Sequence, residues 1–365
     1  MRHDEIFELY VDYLLSSFGE VTATGLSALT GGIISHDRIT RSLSEPEFGP
    51  KDLWKEVKPI VKKVASEDAV IAFDDSILEK PYTDENEMIS WHYSHTKNRN
   101  VKGINLLTGL YYSNGISIPV SYYMVKKTEI YIDKKTGKEH RKSPISKNEI
   151  VRDLSQQIIK NGVKFKYFLT DSWFSSTENM MFFKVDLQKD FIMGLKSNRL
   201  VAMSLQDKKE KRYIPIDSIE LEKGSVKEVF LEGVRFPLYI VKKVFINEDE
   251  STGILYLITS DPGLSYNDLF EIYQKRWKIE DYHKSIKQNT AITKSQTKTV
   301  RTQSNHIFAS LCAFVKLEKL RIVASVNQTN VRKWIYFNAQ KKAMEFLKNL
   351  SCNLDNYFYS KQATA

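Results

Sequence analysis

The hydrophobic pattern of the first 66 residues is that of helices. Apolar residues recur there every three or four positions, as on the buried face of an amphipathic helix. Further along, residues 22–43 have the pattern of a helix, a glycine-containing turn and a second helix. Helical hairpins that read DNA have this pattern, and so does any small helical bundle. The residues on the first apolar face are Ile6, Leu9, Tyr10, Tyr13 and Leu14.

From Ala69 onward the pattern changes to short apolar runs that predict strands. The run at 69–76 ends in two acids, and two further strand patterns are separated by the turn signal Ser-Asn-Gly at 113–115. Helices and strands then alternate up to residue 197, and alternating apolar positions at 225–246 predict antiparallel strands. The last hundred residues return to helical spacing.

These elements predict an α/β fold with a mixed sheet flanked by helices. We expect a helical N-terminal DNA-binding region at 1–66, a central catalytic domain at 67–325 and a helical C-terminal region at 326–365. A β-rich antiparallel insertion is predicted within the central domain, at about 197–262.

Composition narrows the class of partner. The 365 residues include 54 Lys and Arg against 45 Asp and Glu, for a net charge of +9. Such a surface attracts polyanions such as nucleic acid, although solubility alone also explains the excess. The two cysteines, Cys312 and Cys352, lack metal-ligand spacing and favour a reducing compartment. No apolar run approaches the ~18 residues of a membrane helix, so we expect a cytoplasmic protein without a membrane partner.

Acidic residues occur where two predicted strands end. Asp74 and Asp75 close the first strand, and Asp171 closes a later one. Catalytic groups collect at such positions in open α/β sheets, because side chains leave the apolar layer there. An Asp after a strand is also an ordinary turn former, so neither position is decisive alone.

A third acid, Glu280, lies in the basic segment 273–287. On an ideal helix Tyr273, Arg276, Glu280 and Lys287 fall within about 60° of one another. Ion pairs between residues three or four apart, such as Arg276 with Glu280, are the simpler explanation of this polar stripe.

The spacing Tyr-x2-Arg-x3-Glu-x6-Lys resembles the signature of the IS4-type insertion-sequence transposases, which belong to the DDE superfamily. The sequences Phe-Asp-Asp-Ser at 73–76 and Thr-Asp-Ser-Trp-Phe at 170–174 lie where that family has its first two acids. The resemblance covers about residues 65–325 and implies an RNase H-like core with an inserted β-subdomain.

The resemblance also implies a catalytic mechanism. Asp74, Asp171 and Glu280 would be catalytic and would hold two Mg²⁺ ions, with Mn²⁺ as a substitute. Asp75 remains the alternative to Asp74; Ser76, two positions on, favours Asp74 because a small hydroxyl residue often follows the catalytic Asp at that distance in RNase H-like folds.

Further residues of the signature helix would contact DNA. Arg276, Lys287 and the Tyr273 hydroxyl would contact phosphates. Trp277 would either stack on a flipped base or pack against the insertion. His283 is a better candidate for a hydrogen bond or a phosphate contact than for a metal ligand.

The resemblance implies a cut-and-paste DNA transposase that cleaves insertion-sequence ends and joins them to target DNA. Its partner would be double-stranded DNA, held by a synaptic homodimer in a prokaryotic, nucleoid-associated setting. Two alternatives are an RNase H-like nuclease without strand transfer and a non-catalytic DNA-binding regulator. A carboxylate-pair glycosidase is more remote, since it leaves the basic helix unexplained.

Overall fold

The computed structural model describes residues 2–17, 19–134, 137–222, 224–246 and 250–362, with side chains described as far as residue 348. The chain begins with helices. Gly31 and Gly32 turn the chain between the second and third helices with φ of 63° and 77°, and the hydroxyls of Thr22 and Ser35 cap these two helices. The helices are α1 (His3–Ser16), α2 (Ala23–Leu29), α3 (His36–Ser44) and α4 (Pro50–Lys63).

The next segment contains the first strands. Asn114 and Gly115 both have positive φ, 50° and 77°, as the tight turn of a two-residue hairpin requires. The strands are β1 (Val70–Glu79), β2 (Ser90–Ser94), β3 (Arg99–Ser113), β4 (Ile116–Met124), β5 (Glu129–Ile132) and β6 (Glu139–Lys142).

Helices and strands alternate in the middle of the chain. Ser146 and Glu149 form a capping box at the start of the first of these helices. The elements are α5 (Lys147–Lys160), β7 (Tyr167–Thr170), α6 (Thr177–Met181) with a π-helical continuation (Phe182–Asp186), β8 (Asp190–Leu195), β9 (Leu200–Val201), α7 (Leu205–Lys209) and β10 (Ile214–Pro215) with a short 3-10 turn (Ile216–Ser218).

The last third of the chain has three strands followed by helices. The elements are β11 (Lys227–Val229), β12 (Leu238–Ile246), β13 (Thr252–Thr259), α8 (Tyr266–Gln274), a 3-10 turn (Lys275–Trp277), α9 (Lys278–Asn289), α10 (Val300–Ala324) and α11 (Gln328–Gln362).

A nine-stranded mixed sheet forms the centre of the fold. Its order is β11-β12-β13-β8-β7-β1-β3-β2, and β4 also pairs with β3. Strand β7 runs parallel to both β1 and β8, whereas the other pairs of this sheet are antiparallel. The predicted mixed α/β class, with a central sheet and flanking helices, is confirmed.

Of the antiparallel strands expected at about 197–262, β11, β12 and β13 extend this same sheet, whereas β9 and β10 pair with each other. Strand β13 pairs with β8 from Tyr256↔Leu195 to Thr259↔Ile192, and β12 and β11 follow outward. Alternation of apolar residues predicted the strands correctly, but it contains no information about which strand they pair with. Antiparallel strands are therefore present in the expected range, and three of them adjoin the central sheet.

Strand β1 continues past the acids that were expected to end it. All ten of its residues pair with the longer strand β3, whereas β7 pairs with β1 only from Val70 to Ala72. Beyond Ala72, the edge of β1 that faces β7 therefore has no described strand paired with it. We call this opening, bordered by residues 73–79 of β1 and the end of β7, the notch.

The N-terminal helices share one core with α10. The Tyr10 hydroxyl and His306 Nδ1 form a buried hydrogen bond of 2.9 Å. The rings of Phe7 and Phe48 stack on Phe308, with centroids 5.6 Å and 4.6 Å away.

Two observations bear on the chain's environment. Cys312, on α10, is a buried free thiol, and the side chain of Cys352 lies outside the described residues. No helix in the described part of the chain combines the length and apolar content needed to cross a membrane.

Candidate active site

Two carboxylates meet at the notch. In the parallel β1–β7 register, Ala72 is opposite Leu169. Two residues beyond this pair, Asp74 lies on β1 and Asp171 directly follows β7. The backbone N–H of Asp75 donates to Asp74 Oδ1 at 2.8 Å, and that of Trp173 donates to Asp171 Oδ1 at 3.0 Å. Both carboxylates are thus held in place by main-chain donors.

Burial and proximity change the acidity of this pair. Burial raises the pKa of Asp74 to about 7, and the negative charges of Asp171 and Asp75 contribute. Burial also raises the pKa of Asp171, although the Trp173 N–H and the charge of Arg276 oppose that shift. Near neutral pH the pair therefore binds a proton readily, and it would bind a cation for the same electrostatic reason.

The neighbouring acid, Asp75, is compensated within the protein. Its Oδ2 accepts hydrogen bonds from Asn105 Nδ2 and, at 2.8 Å, from Lys147 Nζ. Asp74 instead has the uncharged His283 near it, with 4.0 Å between His283 Nδ1 and Asp74 Oδ2. This difference favours Asp74 over Asp75 as the first acid of the site.

The signature helix is not continuous. A 3-10 turn at Lys275–Trp277 separates α8 from α9, yet Arg276 in that turn still lies beside Tyr273, with its guanidinium 5.6 Å from the tyrosine ring. Tyr273 is only 5% exposed, and its hydroxyl donates to the Thr170 carbonyl at 3.3 Å. In this structure the Tyr273 hydroxyl thus contacts the last residue of β7, which directly precedes Asp171.

Arg276 and Glu280 form an ion pair, which is the simpler explanation that the sequence analysis gave for the polar stripe of the segment 273–287. Arg276 Nη2 lies 2.7 Å from Glu280 Oε1, and the Arg276 side chain is 11% exposed against 57% for Glu280. The charge of Arg276 opposes the rise in the pKa of both Asp74 and Asp171. Arg276 thus interacts with all three acids.

The structure brings together two of the three predicted acids. Within the described ranges, no group of three His, Cys, Asp or Glu side chains is close enough to hold a metal ion. Asp74 and Asp171 interact at the notch, while Glu280 is turned toward Arg276.

The remaining signature residues lie in different environments. Burial and the charge of Lys287 lower the pKa of His283 to about 3, and its buried Nε2 has no hydrogen-bond partner among the described groups. Burial lowers the pKa of Lys287, while the charges of Glu79 and Asp74 oppose the shift. Trp277 is 54% exposed. The sequence indicated that His283 could form a hydrogen bond or a phosphate contact, but it did not predict that His283 lies beside Asp74. The position of His283 three residues after Glu280, on the same helix, was the signal for its presence in the site.

A buried lysine connects α9 to β1. Lys80, directly after β1, donates from Nζ to the Thr293 and Ser295 carbonyls at 3.1 Å and 2.9 Å, just beyond the end of α9. Burial lowers the pKa of this amine to about 8. The loop that follows α9 is thereby attached to the strand that contains Asp74.

Comparison with known families identifies the family of the chain. Residues 1–213, more than half of the chain, match the family described as DDE superfamily endonuclease. The chain is a member of that family. The matched region of this DDE endonuclease contains Asp74 and Asp171 and ends before Glu280, and no curated protein matches the sequence.

Among solved structures, the DDE endonuclease is similar to the Drosophila P element transposase strand transfer complex. The two are 14% identical, the similarity covers 52% of this chain and 37% of that chain, and the TM-score is 0.26.

Proposed function

We propose that this DDE endonuclease is a cut-and-paste transposase that cleaves DNA at insertion-sequence ends and joins the freed 3′ ends to target DNA. The observation that carries the proposal is the pair Asp74 and Asp171 at the notch, where burial raises the pKa of both acids and the charge of Asp171 adds to the rise at Asp74. Family membership supports endonuclease chemistry, and the net charge of +9 supports a polyanionic substrate.

The strand order supports an RNase H-like core. The run β4-β3-β1-β7-β8 has antiparallel pairing on one side of β1 and parallel pairing on the other. We assign β1 as the central strand of that core and Asp74 as its catalytic acid.

The donor set fits a hard divalent cation. Asp74 and Asp171 are partly desolvated, mutually repelling carboxylates, and a cation would relieve that repulsion. In our proposal they and Glu280 would hold Mg²⁺, or Mn²⁺ in its place, as oxygen ligands. Two such ions, when bound, activate the attacking oxygen and stabilise the leaving oxygen in phosphoryl transfer.

The basic residues beside these acids would position the DNA backbone. Lys287 interacts electrostatically with Asp74, and Arg276 interacts with both Asp74 and Asp171. Each of these two basic side chains would therefore contact a phosphate next to the bond that is cut. Trp277, more than half exposed, is free to stack on an unpaired base.

Glu280 would change partner in the active complex. In its ion pair with Arg276 the Glu280 side chain is 57% exposed, so solvent and ions can reach the carboxylate. A DNA phosphate would compete for Arg276 and release the carboxylate for a cation. A synaptic homodimer follows in the proposal because two transposon ends must be held at once.

A cleavage assay tests the function. The substrate is a labelled duplex with the terminal repeat that flanks the coding sequence, incubated with Mg²⁺ or with EDTA. We expect Mg²⁺-dependent nicking at the repeat end, a loss of at least about 100-fold in Glu280→Gln and Asp171→Asn, and retained DNA binding in both. The matched control is Asp281→Asn, because Asp281 is an exposed neighbouring acid paired with Lys278.

Three other results would contradict the proposal in different ways. Unchanged nicking in Glu280→Gln would remove Glu280 from the site. Nicking without joined products would favour a nuclease that lacks strand transfer. Binding without any cleavage would favour a DNA-binding regulator.

A further inference from the structure

A groove opens directly beside Asp171. Its volume is about 740 Å³, well within the range of ligand-binding clefts. It begins at Ser172 and Trp173, the two residues that follow the acid. Its wall combines aromatic rings, basic side chains and hydroxyl groups with one carboxylate. The residues that matter for recognition are Ser172, Trp173, Lys196, Arg199, Tyr213 and Glu232.

Trp173 is a half-exposed aromatic residue on the wall of this groove, available for stacking with a ligand. Its side chain is 51% exposed, and its backbone N–H is bonded to Asp171 Oδ1 at 3.0 Å. The Nζ atoms of Lys147 and Lys196 lie 5.8 Å and 5.7 Å from the ring centroid, and the ring of His95 lies 6.3 Å away. A half-exposed indole near two ammonium groups thus belongs to a residue whose backbone is bonded to a proposed catalytic carboxylate.

The charges of the groove favour an anion. Among the described residues, Lys196 and Arg199 have no carboxylate within ion-pair distance, in contrast to Lys147, which is paired with Asp75. Among the described residues that line the groove, Glu232 is the one acid, and the charge of Glu178 also acts on Arg199. Two basic side chains without a close ion pair, beside an aromatic ring, match the phosphate and the base of one nucleotide.

We propose that this groove binds an unpaired nucleotide of the DNA strand that adjoins the bond cut at Asp171. Its base stacks on Trp173, and its phosphate is held by Lys196 and Arg199. An unpaired base is required because bases inside a duplex already stack on their neighbours. The inference rests on the proposed function, since it takes DNA as the substrate, and it adds a binding position outside the signature helix.

The test is a binding measurement in EDTA, which keeps it separate from cleavage. Fluorescence anisotropy compares a blunt duplex with the same duplex carrying a four-nucleotide single-stranded tail. We expect Trp173→Ala to weaken binding of the tailed duplex roughly 5- to 150-fold, because stacking contributes about 1–3 kcal/mol per base. Binding of the blunt duplex should change less than about twofold, and Trp173→Phe should retain most of the tailed affinity.

Two matched controls separate this site from general effects. Trp334→Ala removes a tryptophan of the same 51% exposure on α11 and should leave the preference for the tail intact. Replacing both Lys196 and Arg199 with Ala should reduce the slope of log affinity against log salt by roughly 0.7 for the tailed DNA, since the two side chains hold one phosphate and each single-strand phosphate contributes about 0.7. The control for charge is Lys51→Ala with Lys62→Ala on α4.

The outcomes distinguish this inference from the proposed function. Equal losses for tailed and blunt DNA, or no loss in Trp173→Ala while Glu280-dependent nicking persists, would overturn the groove assignment alone. Failure of the native protein to bind any DNA would overturn both.

Discussion

At the scale of single residues, the most informative group is the Asp74 carboxyl. Its pKa is raised to about 7 because it is buried and faces the negative charges of Asp171 and Asp75. An acid whose folded pKa lies above its unfolded pKa stabilises the fold only while it is protonated. The metal-free protein therefore loses stability as the pH rises from about 4 to about 7.

Asp74→Asn should remove this pH dependence. At pH 8 in EDTA, we expect the variant to have a free energy of unfolding roughly 1–4 kcal/mol higher than that of the native protein, since one pKa unit corresponds to about 1.4 kcal/mol. At pH 4 the two should differ much less, because Asp74 is protonated in the native protein too. Urea denaturation at both pH values measures this, and a larger gain at pH 4 than at pH 8 would contradict the assigned shift.

The sequence predicted the identity of these residues better than their contacts. The acids Asp74 and Asp171 were found because each follows an apolar run and because their order matched a family signature. That Asp75 would be neutralised by Lys147 could not be read from the chain, because the two residues are brought together only by tertiary packing.

At the scale of elements, the junction of α8 and α9 positions the site. Tyr273 at the end of α8 is hydrogen-bonded to the last residue of β7, and Arg276 in the following turn has its guanidinium 5.6 Å from the Tyr273 ring. Gly194 on β8 allows this approach, because a Cβ at that position would lie 3.1 Å from the Tyr273 hydroxyl. The junction thus brings β7, β8 and the signature helix together.

Tyr273→Phe should reveal whether this tyrosine braces the strand or contacts DNA. We expect the free energy of unfolding to fall by about 0.5–1.5 kcal/mol, the usual contribution of one hydrogen bond, while DNA affinity and its salt dependence stay unchanged. Tyr82→Phe is the control, because Tyr82 is 99% exposed. A loss of DNA affinity with unchanged stability would instead favour the phosphate contact expected from the family.

Most elements were predictable, whereas their junctions were not. Period-two and period-3.6 patterns located β1, β3, β4, α5 and β8 because those patterns depend on which face is buried. The 3-10 turn between α8 and α9 has no such signature, since the segment has good helical spacing throughout. The attachment of β13 to β8 was hidden for a related reason, because an apolar strand can pair with many partners.

At the scale of the whole molecule, α10 joins the N-terminal helices to the sheet. It packs on α1 and α3 as well as on β4 and α9. Asn305 adds polar contacts, with its Nδ2 donating to the Leu43 and Pro46 carbonyls. We therefore expect residues 1–66 and the central domain to unfold together, even if the N-terminal region has its own role in DNA binding.

Phe308→Ala tests this shared core. Phe308 is 4% exposed and stacks with Phe7 and Phe48, so its truncation should cost about 3–5 kcal/mol of unfolding free energy. Calorimetry should show one transition that moves as a whole to lower temperature. Phe337→Ala, at a position 67% exposed on α11, should leave that transition in place. Two transitions, of which only one moves, would mean that the two regions unfold independently.

The attachment of Lys80 to the loop after α9 connects the two parts of the proposed catalytic centre. The buried ammonium ties the strand that contains Asp74 to the loop beyond the helix that contains Glu280. In our proposal, rotation of the Glu280 side chain would bring in the third ligand. That rotation would break the ion pair with Arg276, and a bound DNA phosphate would then compensate the guanidinium. Substrate occupancy would switch such an enzyme on.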